Sequence, residues 1–120
     1  MSKIEVSQRD RSILAHICEY CEDAMDIAKQ IESETAFRAS KRDQLALGMC
    51  ILQIGELIKH LSDDFVQNHQ AMPWRMMRRM RDLYAHHYEK ADITLFWNTV
   101  TQDIPALYAY CLQCLEQNNI

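Results

Sequence analysis

Apolar residues recur at alternating intervals of four and three over the first quarter of the chain, and this spacing constrains the fold more than any other feature. The series is Ile13, Ile17, Tyr20, Ala24, Ile27 and Ile31. Such spacing places one apolar stripe along an α-helix, whereas a strand buried on one face alternates every second residue. Ser7 is suited to cap the beginning of this helix. The segment is therefore predicted to be an amphipathic helix.

Two further helices are predicted from caps and apolar runs. After a connection over residues 33–40, Ser40 can cap a helix that is apolar on nearly every side from Leu45 to Ile58. Such a helix is expected in the centre of the fold. Pro73 suits the first turn of the next helix, where its missing N–H is no loss.

The last predicted helix follows Asp92, which is a suitable cap. Its stripe comprises Ile93, Trp97, Val100, Ile104, Leu107, Cys111 and Leu115. Pro105 lies inside this pattern and predicts a kink near Thr101. The chain has only two Gly and two Pro, and all-β or Rossmann-type folds use more of these in turns and phosphate loops. We therefore predict one all-α domain over residues 1–120, a four-helix bundle.

Cysteine usage and hydropathy bear on the compartment. The five cysteines are an odd number, and no basic and apolar leader precedes the first predicted helix, so a secreted disulfide framework is not expected. The longest apolar run, from Leu45 to Leu52, is far shorter than the roughly twenty residues that span a bilayer. We expect a cytoplasmic protein with no membrane segment.

Two cysteine pairs have the CxxC spacing of many zinc sites, namely Cys18 with Cys21 and Cys111 with Cys114. Zinc knuckles place such pairs in turns, whereas these pairs fall inside predicted amphipathic helices. Core packing is the favoured prediction, with a metal or redox site between helices as the alternative. No metal ion or other cofactor is predicted.

Positive charge is concentrated in one segment. The net charge is −4, yet residues 75–90 hold five basic residues against two acidic ones, so this segment carries +3 and the remainder −7. The basic residues are Arg75, Arg78, Arg79, Arg81 and Lys90. Local charge of this kind suits a phosphate-binding cleft. A helix end whose cations favour the negative pole of the macrodipole is the other interpretation.

The basic segment also contains His86, His87 and Tyr88. RNA cleavage requires a base for the ribose hydroxyl proton, a cation for the charge on the phosphorane and an acid for the leaving oxygen. Imidazole and guanidinium meet these needs without a metal. Residues five apart on a regular helix point about 140° apart, so Arg81 and His86 must meet across a helix end or a subunit interface. Each of the remaining histidines stands alone in the sequence and is predicted to be a solvated surface side chain. They are His16, His60 and His69.

Three stretches of the sequence resemble the HepT-like HEPN proteins, which are encoded beside minimal nucleotidyltransferases. They are ILQIGELIKHLSDDF, MPWRMMRRMRDLYAHHY and FWNTVTQDIPAL. The family pattern of an arginine, a polar residue, a spacer, a histidine and a tyrosine falls on Arg81, Asp82, His86 and Tyr88.

The resemblance implies a HEPN-like homodimer with a metal-independent endoribonuclease site at its interface. The expected catalytic residues are Arg81 and His86, supported by Asp82 and His87, and Tyr88 is the implied acceptor of AMP. Phosphate binding is expected from the other arginines of the segment, which are Arg75, Arg78 and Arg79. The implied partners are RNA, a second copy of the chain and a nucleotidyltransferase antitoxin that neutralises the toxin.

Two hypotheses follow from these observations. The first is a ribonuclease toxin, and the second is a non-catalytic HEPN module that binds RNA or a nucleotide and recruits a nucleotidyltransferase. Arg81, His86 and Tyr88 are all present, and a binding module could dispense with His86. The sequence therefore favours the ribonuclease.

Overall fold

The computed structural model describes residues 6–72, 74, 77 and 92–117 of the chain. All regular structure in these residues is helical, and they contain no strand, which confirms the all-α prediction. The elements are α1 (Gln8–Lys29), α2 (Glu34–Arg38), α3 (Lys41–Lys59), α4 (Asp63–Asn68), α5 (Ile93–Asn98), a π-helical turn (Thr99–Asp103) and α6 (Ile104–Gln117). Trp74 and Met77 are helical as well, whereas Pro73 and most of the helix predicted after it lie outside the described residues.

Four helices begin with the same serine cap. The hydroxyl oxygen of the serine accepts a hydrogen bond from the backbone N–H three residues later, at 3.1–3.2 Å. The capping serines are Ser7, Ser33, Ser40 and Ser62. This confirms the caps predicted at Ser7 and Ser40. It also corrects the plain connection predicted over residues 33–40, because Ser33 begins the short helix α2 there, and α2 buries Phe37 in the core.

The buried face of α1 is rotated from the predicted stripe. Ile17 and Ala24 are buried as predicted, but Ile13 and Ile27 are only half-buried, and Ile31 lies beyond the end of the helix. The centre of the buried face is formed by Leu14, Ile17, Cys18, Cys21 and Ala24. The predicted stripe did not include Leu14 or the two cysteines, whose packing in the core was predicted separately.

Helix α3 packs along α1 and lines the core with one face. Its buried residues are Leu47, Gly48, Cys50, Ile51, Ile54, Gly55 and Ile58. The opposite side of α3 remains exposed, since Leu45 and Met49 each keep 54% of their surface accessible. The expectation of a helix buried on nearly every side is therefore wrong for the first half of α3.

The final helix continues through Pro105 because its backbone hydrogen bonds change to the π-helical pattern before the proline. The N–H of Ile104 donates to the carbonyl of Thr99, five residues earlier, which is the π-helical pattern. The hydroxyls of Thr99 and Thr101 donate to the carbonyls four residues before them, both at 2.8 Å. The irregularity predicted near Thr101 is thus a π turn, placed where proline removes a donor from the ladder. No helix among the described residues is long and apolar enough to cross a bilayer.

Candidate functional site

All of the site residues predicted from the sequence belong to the basic segment, residues 75–90. They are Arg75, Arg78, Arg79, Arg81, Asp82, His86, His87 and Tyr88. All eight lie outside the described residues, so their roles stay predictions. The structure does describe how the chain is held at both ends of the segment, at Trp74 and Met77 on one side and at Asp92 on the other.

Trp74 fixes the beginning of the segment to the core. Its side chain is 3% exposed, and its indole Nε1–H donates to the carbonyl oxygen of His69 at 2.9 Å. Met77, three residues later, is 4% exposed. Two buried helical residues three positions apart define one inward face. Arg75 and Arg78 therefore each follow directly in the chain after a residue that is anchored in the core.

Trp74 belongs to a cluster of four rings with Phe65, His69 and Tyr110. Its ring centroid lies 5.7 Å from that of Phe65 on α4 and 5.9 Å from that of Tyr110 on α6. His69 stacks on Phe65 with 4.0 Å between centroids, and it forms a T-shaped pair with Tyr110 at 6.3 Å between centroids. Edge-to-face and stacked pairs of this kind stabilise a core beyond the area that they bury. The cluster ties α4 and α6 to the residue that precedes Arg75.

His69 is part of this cluster, so the prediction of a singly solvated side chain is wrong for it. The side chain is half-buried, and its Nδ1 lies 2.8 Å from the carbonyl oxygen of Phe65. A carbonyl oxygen only accepts, so the Nδ1–H of His69 is the donor of this hydrogen bond. His16 and His60 are exposed, as predicted. Phe65, His69 and Trp74 lie within ten positions of one another in the sequence. This closeness was the signal from which the cluster could have been predicted.

Asp92 fixes the other end of the segment. Its carboxylate accepts from the backbone N–H groups of Thr94 at 2.9 Å and Leu95 at 3.2 Å, which confirms the predicted cap. The Thr94 hydroxyl donates to Glu34 of α2 at 2.8 Å, and Arg38 donates to the same carboxylate at 3.1 Å. The start of α5 is thus hydrogen-bonded to α2.

The buried carboxylate of Asp10 is hydrogen-bonded to Ser62, the residue that caps α4. Asp10 is 2% exposed, and it accepts from the backbone N–H of Ser62 at 2.9 Å and from the Ser62 hydroxyl at 2.6 Å. Burial raises the pKa of Asp10, but the hydrogen bonds from Ser62 and Ser7 and the charge of Arg9 together outweigh burial and hold the pKa below its ordinary value. Sequence reasoning missed this contact because the two residues are 52 positions apart.

The cysteine pairs lie in the core, as predicted. Each of the five cysteines is a buried free thiol, and Cys18 and Cys21 face the interior from α1 while Cys111 and Cys114 do so from α6. Within the part of the chain that the structure describes, no three His, Cys, Asp or Glu side chains are grouped so that they could hold a metal ion.

Comparison with known proteins identifies relatives over most of the chain. A family model described as Ribonuclease HepT-like matches residues 17–114, which include the whole basic segment. A Thermococcus cleftensis protein named "Probable ribonuclease HepT" is 37% identical over 95 residues, covering 74% of this chain and 86% of that protein. The Methanocaldococcus jannaschii protein "Putative RNase MJ0127" is 30% identical over 95 residues, covering 79% and 78%. No solved structure matches significantly.

Proposed function

Because the chain belongs to the HepT-like ribonuclease family, we propose that it is a metal-independent endoribonuclease that cleaves RNA with Arg81 and His86 and acts as a toxin. The observation that carries this proposal is the family match over residues 17–114, which spans the basic segment together with both of its anchors. The relatives named as ribonucleases support RNA as the substrate class.

The proposed reaction needs no group beyond the side chains of the segment. One imidazole removes the proton of the ribose 2′-hydroxyl, and the 2′-oxygen attacks the adjacent phosphorus. The bond from phosphorus to the 5′-oxygen breaks, and a second proton donor protonates that oxygen as it leaves. His86 is the proton-transfer group in this proposal, and Arg81 stabilises the extra negative charge on the phosphorane. Asp82 and His87 support them, and the phosphates on either side bind the remaining arginines, Arg75, Arg78 and Arg79.

We propose that the active unit is a homodimer. Leu45 and Met49 are each 54% exposed and lie one turn apart on the same side of α3. Paired exposed apolar residues of this kind are typical of protein contacts. A twofold interface brings two copies of one segment into a single cleft. On one regular helix Arg81 and His86 point about 140° apart, so they could not reach the same phosphate. A shared cleft solves this because one subunit can supply Arg81 and the other His86.

The proposed partner that controls the toxin is a minimal nucleotidyltransferase. In this proposal the antitoxin transfers AMP to the hydroxyl of Tyr88, so that the tyrosine oxygen attacks the α-phosphorus of ATP and pyrophosphate leaves. Tyr88 is two residues from His86. A bulky anionic group at that position would repel the phosphates of RNA, which accounts for neutralisation.

The experiment is a cleavage assay on a labelled single-stranded RNA with purified protein in EDTA. We expect cleavage to persist in EDTA, and we expect His86→Ala and Arg81→Ala each to reduce the rate by about 10²–10⁴-fold. The matched controls are His16→Ala, an exposed histidine of α1, and Arg42→Ala, whose side chain is 91% exposed. Both controls should cleave at the wild-type rate.

Three results would contradict the proposal. Loss of cleavage in EDTA that zinc or magnesium restores would show that the mechanism requires a metal. Wild-type cleavage by His86→Ala would show that His86 is not the proton-transfer group, and RNA binding without cleavage by the wild-type protein would favour the non-catalytic binding module.

A further inference from the structure

One arginine from outside the basic segment is held beside the point where that segment ends. Arg38, the last residue of α2, donates from Nη2 to the hydroxyl oxygen of Thr94 at 3.4 Å, although the two residues are 56 positions apart. Thr94 lies two residues after Asp92, whose carboxylate caps α5 directly behind the segment. The fold therefore brings a further cation to the end of the basic segment.

Three hydrogen bonds hold the guanidinium of Arg38 in one orientation. Its Nη2 also donates to a carboxylate oxygen of Glu34 at 3.1 Å, and the Thr94 hydroxyl donates to the same oxygen at 2.8 Å. Arg38, Glu34 and Thr94 thus form a closed set of bonds that joins α2 to α5. A side chain that is already fixed loses less conformational entropy when it binds a ligand.

The rest of the guanidinium can bind a ligand. The side chain of Arg38 is 55% exposed, and its Nε–H and Nη1–H groups have no hydrogen-bond partner among the residues that the structure describes. Glu34 offsets part of the positive charge, but its carboxylate is engaged by Arg38 and Thr94 and is 35% exposed. An exposed guanidinium with one side fixed and further donors free is suited to phosphate oxygens.

The other described arginines do not share this position. Arg9 and Arg11 belong to the first turn of α1, and their contacts are with α1 itself and with α6. Arg42 is 91% exposed, and its ion pair of 3.7 Å is with Asp43, the next residue in the chain. Within the described part of the chain, Arg38 is the one arginine that is hydrogen-bonded to α5.

We propose that Arg38 binds a phosphate of the RNA strand beside the nucleotides that the basic segment holds. This proposal rests on the proposed ribonuclease function and adds a binding residue from a separate helix. Six peptide units join His86 to Asp92, so the chain between these residues spans at most about 22 Å. An RNA strand cleaved at His86 continues on both sides of the cut, and Arg38 supplies a cation for one flank. Such a contact fixes the position of the strand without reading its bases.

The test measures the salt dependence of RNA binding by the full-length protein. The probe is a labelled single-stranded RNA with 2′-O-methyl groups, which cannot be cleaved through the 2′-oxygen. We expect Arg38→Ala to weaken binding about tenfold at low salt. The slope of log K against log salt should become shallower by about 0.7, the value for one phosphate contact of a single strand. Damage to the fold would weaken binding at every salt concentration without this change of slope.

Arg42→Ala is the matched control, because it removes the same charge four positions away and should keep the wild-type affinity and slope. Thr94→Val removes the hydroxyl that orients Arg38 but leaves its charge. This variant should bind more weakly than wild type and more tightly than Arg38→Ala, with the wild-type slope.

The outcomes separate this proposal from the proposed ribonuclease function. Wild-type affinity and slope in Arg38→Ala would overturn the phosphate site and leave the ribonuclease assignment intact. Equal weakening by Arg42→Ala and Arg38→Ala would also overturn it, because overall charge would then account for both. Unmodified RNA is assayed for cleavage in parallel. A wild-type protein that binds RNA without cleaving it would contradict the ribonuclease, whereas the salt slope would still support the site. A wild-type protein that binds no RNA would refute both.

Discussion

Replacing Asp10 with Asn tests whether the buried carboxylate holds α4 against α1. Asp10 accepts two hydrogen bonds from Ser62, at 2.9 Å and 2.6 Å, and is 2% exposed. Hydrogen bonds to a charged group contribute about 1.5–3 kcal/mol each. An amide retains one acceptor oxygen but turns an NH₂ donor towards the second Ser62 donor. We expect Asp10→Asn to lower the free energy of unfolding by roughly 2–4 kcal/mol at pH 7.

The dependence on pH distinguishes the carboxylate from general damage to the core. The folded pKa of Asp10 lies below its ordinary value, so the charged form stabilises the folded state. This stability is fully present above the unfolded pKa of about 3.9 and is lost as the pH falls through the folded pKa. The difference between wild type and Asp10→Asn should therefore be constant near neutral pH and shrink below about pH 4.

The assay is urea unfolding of both proteins at one fixed protein concentration, repeated from pH 7 to pH 3. Asp26→Ala is the matched control, because Asp26 is an exposed carboxylate on the same helix. Substitutions at such exposed positions change stability by at most about 0.5 kcal/mol. A difference between wild type and Asp10→Asn that stays the same at pH 3 would refute the assignment of the stability to the ionised carboxylate.

Four further predictions concern the interface, the modification, the shared cleft and the anchor of the segment. Met49→Arg should shift the protein from dimer to monomer in analytical ultracentrifugation, because it places a charge on the exposed face of α3, and an unchanged dimer would exclude that face. Tyr88→Phe should keep the fold but lose incorporation of labelled AMP by a cognate nucleotidyltransferase, so undiminished incorporation would show another acceptor. A hybrid dimer of one wild-type chain and one Arg81→Ala/His86→Ala chain should fall far below half of wild-type activity, whereas half activity would mean that each subunit works alone. Trp74→Phe removes the donor to His69 and should cost about 1 kcal/mol in unfolding experiments, and no change in stability would contradict the role of that hydrogen bond.

Local features of the fold were predictable because they depend on neighbouring residues. A serine or aspartate cap bonds to backbone two or three positions away, so Ser7, Ser40 and Asp92 could be recognised from the chain itself. The same holds for the irregular turn before Pro105, where the missing donor affects the carbonyl four residues earlier. Helical periodicity likewise established the all-α class.

The candidate site was also nominated from the sequence, for a related reason. Arg81, His86 and Tyr88 lie within one short segment, and a resemblance to a known family depends on the order of residues. The core contacts of the residues that flank the segment could not be predicted in this way. The stacking of His69 on Phe65 and the contact of Trp74 with Tyr110 join α4 to α6. Periodicity within one helix carries no information about its neighbours.

Only the tertiary structure decided which distant residues meet. Asp10 and Ser62 are separated by 52 positions, yet they are hydrogen-bonded. Cys18 and Cys111 lie near opposite ends of the chain, yet both are buried in the same core. A pattern of apolar positions shows which face of a helix turns inward, but the relative rotation of two packed helices depends on how all their side chains interlock. The sequence by itself therefore determined the all-α class, the caps at Ser7, Ser40 and Asp92, and the segment that we propose carries the chemistry. The tertiary structure determined the anchor of Asp10 to Ser62, and the packing of α1 against α6 placed both cysteine pairs in one core.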